Sequence, residues 1–495
     1  MIKKSLFIAA IISLCGVTGS RLGAQQPDAI FKLLRHQWTL NADGSSDYRY
    51  RHEVQIVTNS ALTAYADKGE TFVVYNPDYE QLTINEVYTL RADGSRVDMP
   101  QNAFIYQLPA ECADCGRFNH MRELAMVHTG MELGCTVVVD YTLHRRYNLL
   151  DEQVPLLREC PVERLEIVVD APADMAISHS LSGENYLPMG VTPRDLDGRT
   201  ITLTALPQAP ADSYLPADVV PTLHLYNGTA TMTPAFDQQK LEAAYSTSRR
   251  LLKGDNGFKS VTALRDWVVD NIHLNDIHPS HLAYTHATAD EVWQSGCGTA
   301  TDKAVLLAAM LRNASYDARV IGVLGEEVGV TLDSLEYRLS VRQKSAPELI
   351  GEAQEAVVKI KEERTIENPT FDTLADGFFS CPLGLYAKQV EGLPQASRLA
   401  PSRTSPVQSI ACDIDVTTLI PLPKGLKMVG DKVERHLVFD GIGEASLSIK
   451  QSGSKLKVTQ RLHLDKSLIM AGDYQAFRQL VGLYQGIDRV VLRAK

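Results

Sequence analysis

Three textures of hydrophobic patterning follow one another along the chain. From about residue 27 to 222 apolar and polar residues alternate, most clearly in YRYRHEVQIV (48–57), QLTINEVYTL (81–90) and CTVVVDYTL (135–143), and a period of two predicts strands with one buried face. Asp43-Gly44 and Asp93-Gly94 supply turns. The period then lengthens: FDQQKLEAAYSTSRRLL (236–252) and FKSVTALRDWVVDNI (258–272) space their apolar residues as helices do, and ADEVWQ (289–294) reads as a short third helix. AVLLAAML (304–311) is apolar all round, which predicts a buried helix. Strands return at ARVIGVL (318–324) and EAVVKIKEE (355–363), then at ASLSIKQ (445–451) and KLKVTQRLHL (455–464), joined by Ser452-Gly453-Ser454. A helix over AGDYQAFRQLVGLYQ (471–485) and a strand over RVVLRA (489–494) close the chain.

This order predicts an α+β multidomain protein: an N-terminal all-β sandwich over 25–222, an α+β core over 223–395 and a small C-terminal β-rich domain over 396–495. The proline-rich run LPQAPADSYLPADVVP (206–221) reads as the link between the first two. At 495 residues the chain has room for three such units. Residues 1–24 stand apart, because MIKK is a positive start, SLFIAAIISLCGV is a short apolar run and RLGA is a small-residue cleavage site. They read as a secretory signal, so the mature protein is expected in the periplasm or at the cell surface. Cys15 follows Leu14 rather than a small residue, which leaves lipidation as the lesser alternative. No other apolar run reaches spanning length, so no transmembrane segment is expected.

The formal charge of −11 becomes −14 once Lys3, Lys4 and Arg21 leave with the signal, and such acidity argues against a nucleic-acid partner. Seven cysteines remain, and an odd number leaves at least one unpaired. Cys112 and Cys115 form a CADC pair that reads as a local disulfide loop or two buried thiols, since nothing supplies the other half of a zinc site. His273, His278, His281 and His286 are interrupted by Pro279 and do not share a helical face, so they read as solvated loop histidines. No metal and no cofactor is expected.

The chemistry-bearing candidate is WQSGCGTATDKAVLLAAMLRNASYDARVIG (293–322). Thr299 can cap the helix that follows, and Asp302 can complete a capping box and complement the dipole. The segment resembles the nucleophile-bearing stretch of the transglutaminase-like superfamily, in a bacterial exported group where a β-sandwich domain of unknown function precedes a papain-like core. That resemblance puts the nucleophilic cysteine at residue 300, which is alanine. It implies a histidine at the start of one strand and an aspartate on the next; EAVVKIK then places Glu355 at the histidine and Asn368-Pro369-Thr370 places Asn368 at the aspartate. Between His286 and His436 the chain has no histidine at all. A Cys-His-Asp relay in the family's order therefore cannot form.

Two functional classes follow from the resemblance. One is a non-catalytic, transglutaminase-like pseudoenzyme of the cell envelope whose cleft, with Trp293, Cys297, Ala300 and Asp302 on its wall, binds a peptide, a glycan or an envelope protein. The alternative is a cysteine peptidase or transamidase with Cys297 as a displaced nucleophile and His281 or His286 as base. The missing interstrand histidine favours the first.

Overall fold

The structure is a computed structural model and describes residues 27–64, 72–196, 199–228, 234–245, 260–322, 328–332, 337–342, 344, 348–349, 357–375, 377–485 and 489–494. The predicted secretory signal lies outside them.

The alternating N-terminal segments form strands β1 (Ala29–Leu40), β2 (Ser46–Ile56), β3 (Glu80–Leu90), β4 (Thr136–Arg145), β5 (Asp151–Pro155), β6 (Val162–Asp170), β7 (Thr200–Leu206) and β8 (Thr222–Asn227). A seven-stranded sheet runs β7-β6-β1-β2-β4-β3 and ends on Arg96–Asp98. It is antiparallel apart from β1 with β6. Its inner row, including Leu34, Val137, Val139 and Leu165, shares one core with Leu223 and Leu225 of β8 and Val154 of β5, which belong to a three-stranded sheet opposite. That is a sandwich. The expected turns are present, with Gly44 and Gly94 at φ of 90° and 86°.

The first predicted central helix is present over Gln238–Tyr245, and three more follow it: α1 (Val261–Asn271), α2 (Ala289–Ser295) and α3 (Ala300–Asn313). Ser260 and Thr288 cap the first two through bonds from the amides of Ala263 and Glu291. Gly296, at φ 66°, ends α2 in the left-handed region. The chain then crosses Cys297-Gly298, which bridges His273-Leu274 in parallel, and enters α3. From Ala304 to Leu311 every residue of α3 is buried, as the unbroken apolar run predicts. Each fully buried leucine stabilises the core by about 1.5–3 kcal/mol. Against α3 lies an antiparallel sheet of β9 (Ala318–Gly322), β10 (Val328–Leu332), β11 (Tyr337–Ser340) and β12 (Glu348–Leu349).

The C-terminal sheet differs from expectation in one member. The strand within EAVVKIKEE, β13 (Val358–Thr365), is not part of the central sheet: it pairs in parallel with β14 (Cys412–Pro421). The sheet continues through β17 (Lys455–Leu464) and β16 (Gly443–Ser452) to an outer strand, β15 (Lys432–Phe439). Helix α4 (Tyr474–Gln485) covers it, burying Phe477, Leu480 and Val481 with Ile414, Val458 and Leu447. Cys381, Leu383 and Leu393 join the same core, so the break between the central and C-terminal sheets precedes the expected boundary at 396.

Candidate functional site

Thr299 and Asp302 form the expected capping box. The Asp302 amide donates to Thr299 Oγ1 at 3.2 Å, and the Thr299 amide donates to Asp302 Oδ2 at 3.0 Å. Gly298 makes this possible, since a Cβ there would lie 2.7 Å from the Cβ of Asp302. Asp302 does more than cap. Its Oδ1 accepts from the Ala287 amide at 2.8 Å and its Oδ2 from Arg117 Nη1 at 3.0 Å, and it is fully buried. Arg117 belongs to the N-terminal domain, so a carboxylate at the start of α3 joins the two domains. Ala300 is buried among the apolar residues of the central core and offers no reactive atom.

Cys297 carries no free thiol here: its sulfur is bonded to Cys115, 182 residues earlier. The CADC pair is thus not a local loop. Cys115 leaves it for Cys297, while Cys112 remains a buried thiol whose pKa burial pushes up to about 11. Cys112, Cys115, Phe118 and Met121 pack on Cys297, Ile277 and Leu282 in one apolar cluster, and Asn275 Nδ2 donates to the Glu111 carbonyl at 2.6 Å. The side of α3 where Cys297 was expected to line an open cleft is therefore covered by residues 111–121.

The loop histidines are not uniformly solvated. His281 Nδ1 lies 2.7 Å from Glu80 Oε2, inside a buried network in which Arg145 bridges Glu80 (3.1 Å) and Glu152 (2.9 Å). Burial opposes ionisation of Glu80, but His281 and Arg145 outweigh it and hold its carboxyl below the usual range. Beside it, Asp151 accepts from the Ala235 amide (3.0 Å) and meets His224 Nε2 at 2.5 Å; its own amide donates to Tyr284 Oη at 3.0 Å. Tyr147 donates to the Ser280 carbonyl. His278 faces Ser280 Oγ at 2.7 Å, and only His273 is left exposed without such a role. Burial lowers the pKa of His286, which sits near Asp302 and the Ala235 carbonyl. Neither proposed base is thus aimed at a free thiol. Among the described residues no group of three or more His, Cys, Asp or Glu side chains is placed to hold a metal ion.

Trp293 stacks on Trp267 at 4.6 Å between ring centroids and packs on the central core, so α1 and α2 hold it rather than a ligand cleft. Glu355 lies outside the described residues. Asn368 is exposed just after β13 in the C-terminal sheet, where Tyr386 Oη accepts from the Thr370 amide at 2.6 Å. It is not a relay position of the central core. The strands that face α3 are β9 and β10, with β11 next; β10 begins at Val328 and β11 ends at Ser340, opposite Gly329. None of these three side chains can serve as a general base near neutral pH.

One ionisable residue beside Ala300 escapes sequence reasoning altogether. Lys303 is 2 % exposed and donates to the Ile272 carbonyl at 2.8 Å. Burial, helped by Arg342, lowers its pKa to about 8. A charged residue at the edge of an apolar run reads as its solvent border, and no sequence signal marks it as buried.

Comparison with known proteins places these segments. Residues 246–345 match the transglutaminase-like superfamily, residues 42–211 a domain of unknown function with a solved structure (DUF3857), and residues 386–489 another (DUF3858). The superfamily match ends before Glu355 and Asn368, in keeping with the sheet assignment of β13. A crystal structure of a "putative protease" from Parabacteroides distasonis is similar at 23 % identity and a TM-score of 0.74, over 94 % of this chain and 99 % of that one. The shared fold thus spans all three domains. A search of curated proteins finds no significant match.

Proposed function

We infer, for a chain whose central segment is a transglutaminase-like core between DUF3857 and DUF3858 domains, that it is a non-catalytic protein of the cell envelope, built to hold its domains together and to bind a peptide, glycan or protein partner. The observation that carries this reading is the occupancy of the reactive positions. Residue 300 is alanine, the only cysteine within three residues of it is spent in a disulfide, and the carboxylate at 302 is engaged by Arg117 and two backbone amides. A relay acts as a unit, so losing the nucleophile and the base together leaves nothing to activate. A disulfide that joins residues 182 apart also supports export, because such bonds persist in oxidising compartments.

The peptidase alternative rests on Cys297, which would have to be reduced first. The test is hydrolysis of casein and amine transfer to it, each measured with and without a thiol reductant. No turnover is expected in either state. Turnover that appears on reduction and vanishes in Cys297→Ser would replace this reading with the peptidase one.

A further inference from the structure

We propose that the C-terminal domain binds an extended acidic segment of a partner protein, added as a strand to the outer edge of β15. The site belongs to the C-terminal core and not to the one that holds Ala300, and the inference stands whether or not the central core is catalytic. Among the described residues β15 pairs only with β16, so its other edge presents a row of main-chain donors and acceptors. The register sets Val433, Arg435, Leu437 and Phe439 opposite Ile449, Leu447, Ala445 and Gly443. Those β16 residues are buried, mostly against the α4 side of the sheet; the β15 row on the same face is only half-covered, and Arg435 is exposed. The sheet thus reaches one strand further than its helix.

The overhang leaves a groove of about 710 Å³, with Arg435 and Leu437 on one wall and Arg478, Gln479, Gly482 and Leu483 of α4 on the other. That volume suits a bound ligand segment. Gly482 lies within α4, where glycine is unfavourable, and neither its backbone nor its packing requires it: a Cβ there would meet nothing within 4 Å. Its effect is to keep the groove floor low. Nε of Arg478 is buried and has no hydrogen-bond partner among the described residues, a costly state that an incoming carboxylate would relieve.

Charge selects the occupant. Helix α4 carries Arg478 and no carboxylate along its length, and Glu434, which also lines the groove, is paired with Lys432 at 3.0 Å. A second copy of β15 has no carboxylate on the face that looks towards α4, so it would bring Arg478 another arginine instead of a partner. An acidic strand has no such penalty. Its glutamates, on the face turned to α4, can reach Arg478 across the room that Gly482 leaves, while the intervening apolar residues lie on the opposite face of the sheet and the main chain pairs with β15.

The test uses the full mature chain and a short fluorescein-labelled peptide alternating valine and glutamate, followed by anisotropy. The acidic probe should bind; its lysine counterpart should not, nor should a version with alternate amides methylated, which cannot donate to β15. Arg478→Glu and Gly482→Leu should each weaken binding about tenfold or more, while Arg478→Lys should keep most of it. Gln479→Glu, at an exposed rim position that cannot threaten folding, should weaken it in the same direction. Failure of the acidic probe to bind, equal binding of the lysine or methylated probe, or indifference to all three disruptive substitutions would overturn the proposal. So would a dimer in sedimentation that Gly482→Leu dissolves, since the occupant would then be a second copy.

Discussion

At the first turn of α3, Thr299 and Asp302 satisfy each other's amides, and Asp302 also binds Ala287 and Arg117. The strand ends on the sheet side, Val328–Gly329 and Ser340–Val341, carry no group that titrates near neutral pH. The two regions would have to meet for cysteine-hydrolase chemistry, and they differ in what their residues do for the fold. The helix side is rich in polar groups because each of them satisfies a buried backbone group or ties down the N-terminal domain. A base on the sheet side would have had no such structural task, and among the described residues at those strand ends there is none. The contrast teaches that a polar constellation in a catalytic-looking place can be held entirely by structural work.

The sharpest way to break the comparison is to remove the helix-side carboxylate. Asp302→Ala should destabilise the protein by about 4 kcal/mol, because it orphans two buried amides and leaves Arg117 without its partner. Asp302→Asn should cost less, since its amide oxygen can still accept. Urea denaturation of the three proteins measures the order, and a near-neutral Asp302→Ala would mean that the carboxylate does no structural work. Next in size is the interdomain disulfide: Cys115→Ser with Cys297→Ser should cost about 3 kcal/mol and leave the far-ultraviolet spectrum unchanged. A loss of only a few tenths would show that the polar network around Glu80 and Asp151 holds the interface without it.

Much of the helix side is legible in the sequence. The spacing of Thr299 and Asp302 gives the capping box, and the run from Ala304 to Leu311 gives the buried helix, because both depend only on neighbours along the chain. KLKVTQRLHL likewise yields a strand with the predicted ends, Lys455–Leu464. What alternation cannot carry is which sheet a strand joins. EAVVKIKEE contains a strand, as its period predicts, but its parallel partner β14 is fixed by tertiary packing, and Asn368, which follows it, goes with that sheet rather than with the one facing α3. Cysteine pairing fails for the same reason: CADC spacing says nothing about a partner 182 residues away.

Lys303 sharpens the comparison from the opposite side, as a helix-side charge that costs stability. Its pKa is lower folded, about 8, than the ordinary 10.5, so the folded chain binds fewer protons than the unfolded one between those values. The burden is therefore full at neutral pH and disappears as pH rises through that window. Lys303→Met should stabilise the protein by roughly 1–2 kcal/mol at pH 7, the relief of a buried charge less the lost bond to Ile272. Thermal melts of both proteins across pH should show that advantage shrinking from pH 8 upwards. An advantage that does not change with pH would show that the lysine's charge is not the cause.

The smallest expected effect on stability tests the central claim most directly, that α3 begins as a cysteine-hydrolase helix does but without the chemistry. Ala300→Cys should leave stability within about 1 kcal/mol, since cysteine behaves as a small hydrophobe. Its thiolate would sit at a helix N-terminus, where the dipole favours the anion and has to outweigh the upward push of burial at this 8 % exposed position. The measurement is the pH dependence of iodoacetamide labelling at residue 300, with Cys115 and Cys297 left oxidised. The account predicts a midpoint below the ordinary thiol value of about 8.5, without any peptidase activity in the variant. A midpoint at or above 8.5, or hydrolysis by Ala300→Cys alone, would contradict it.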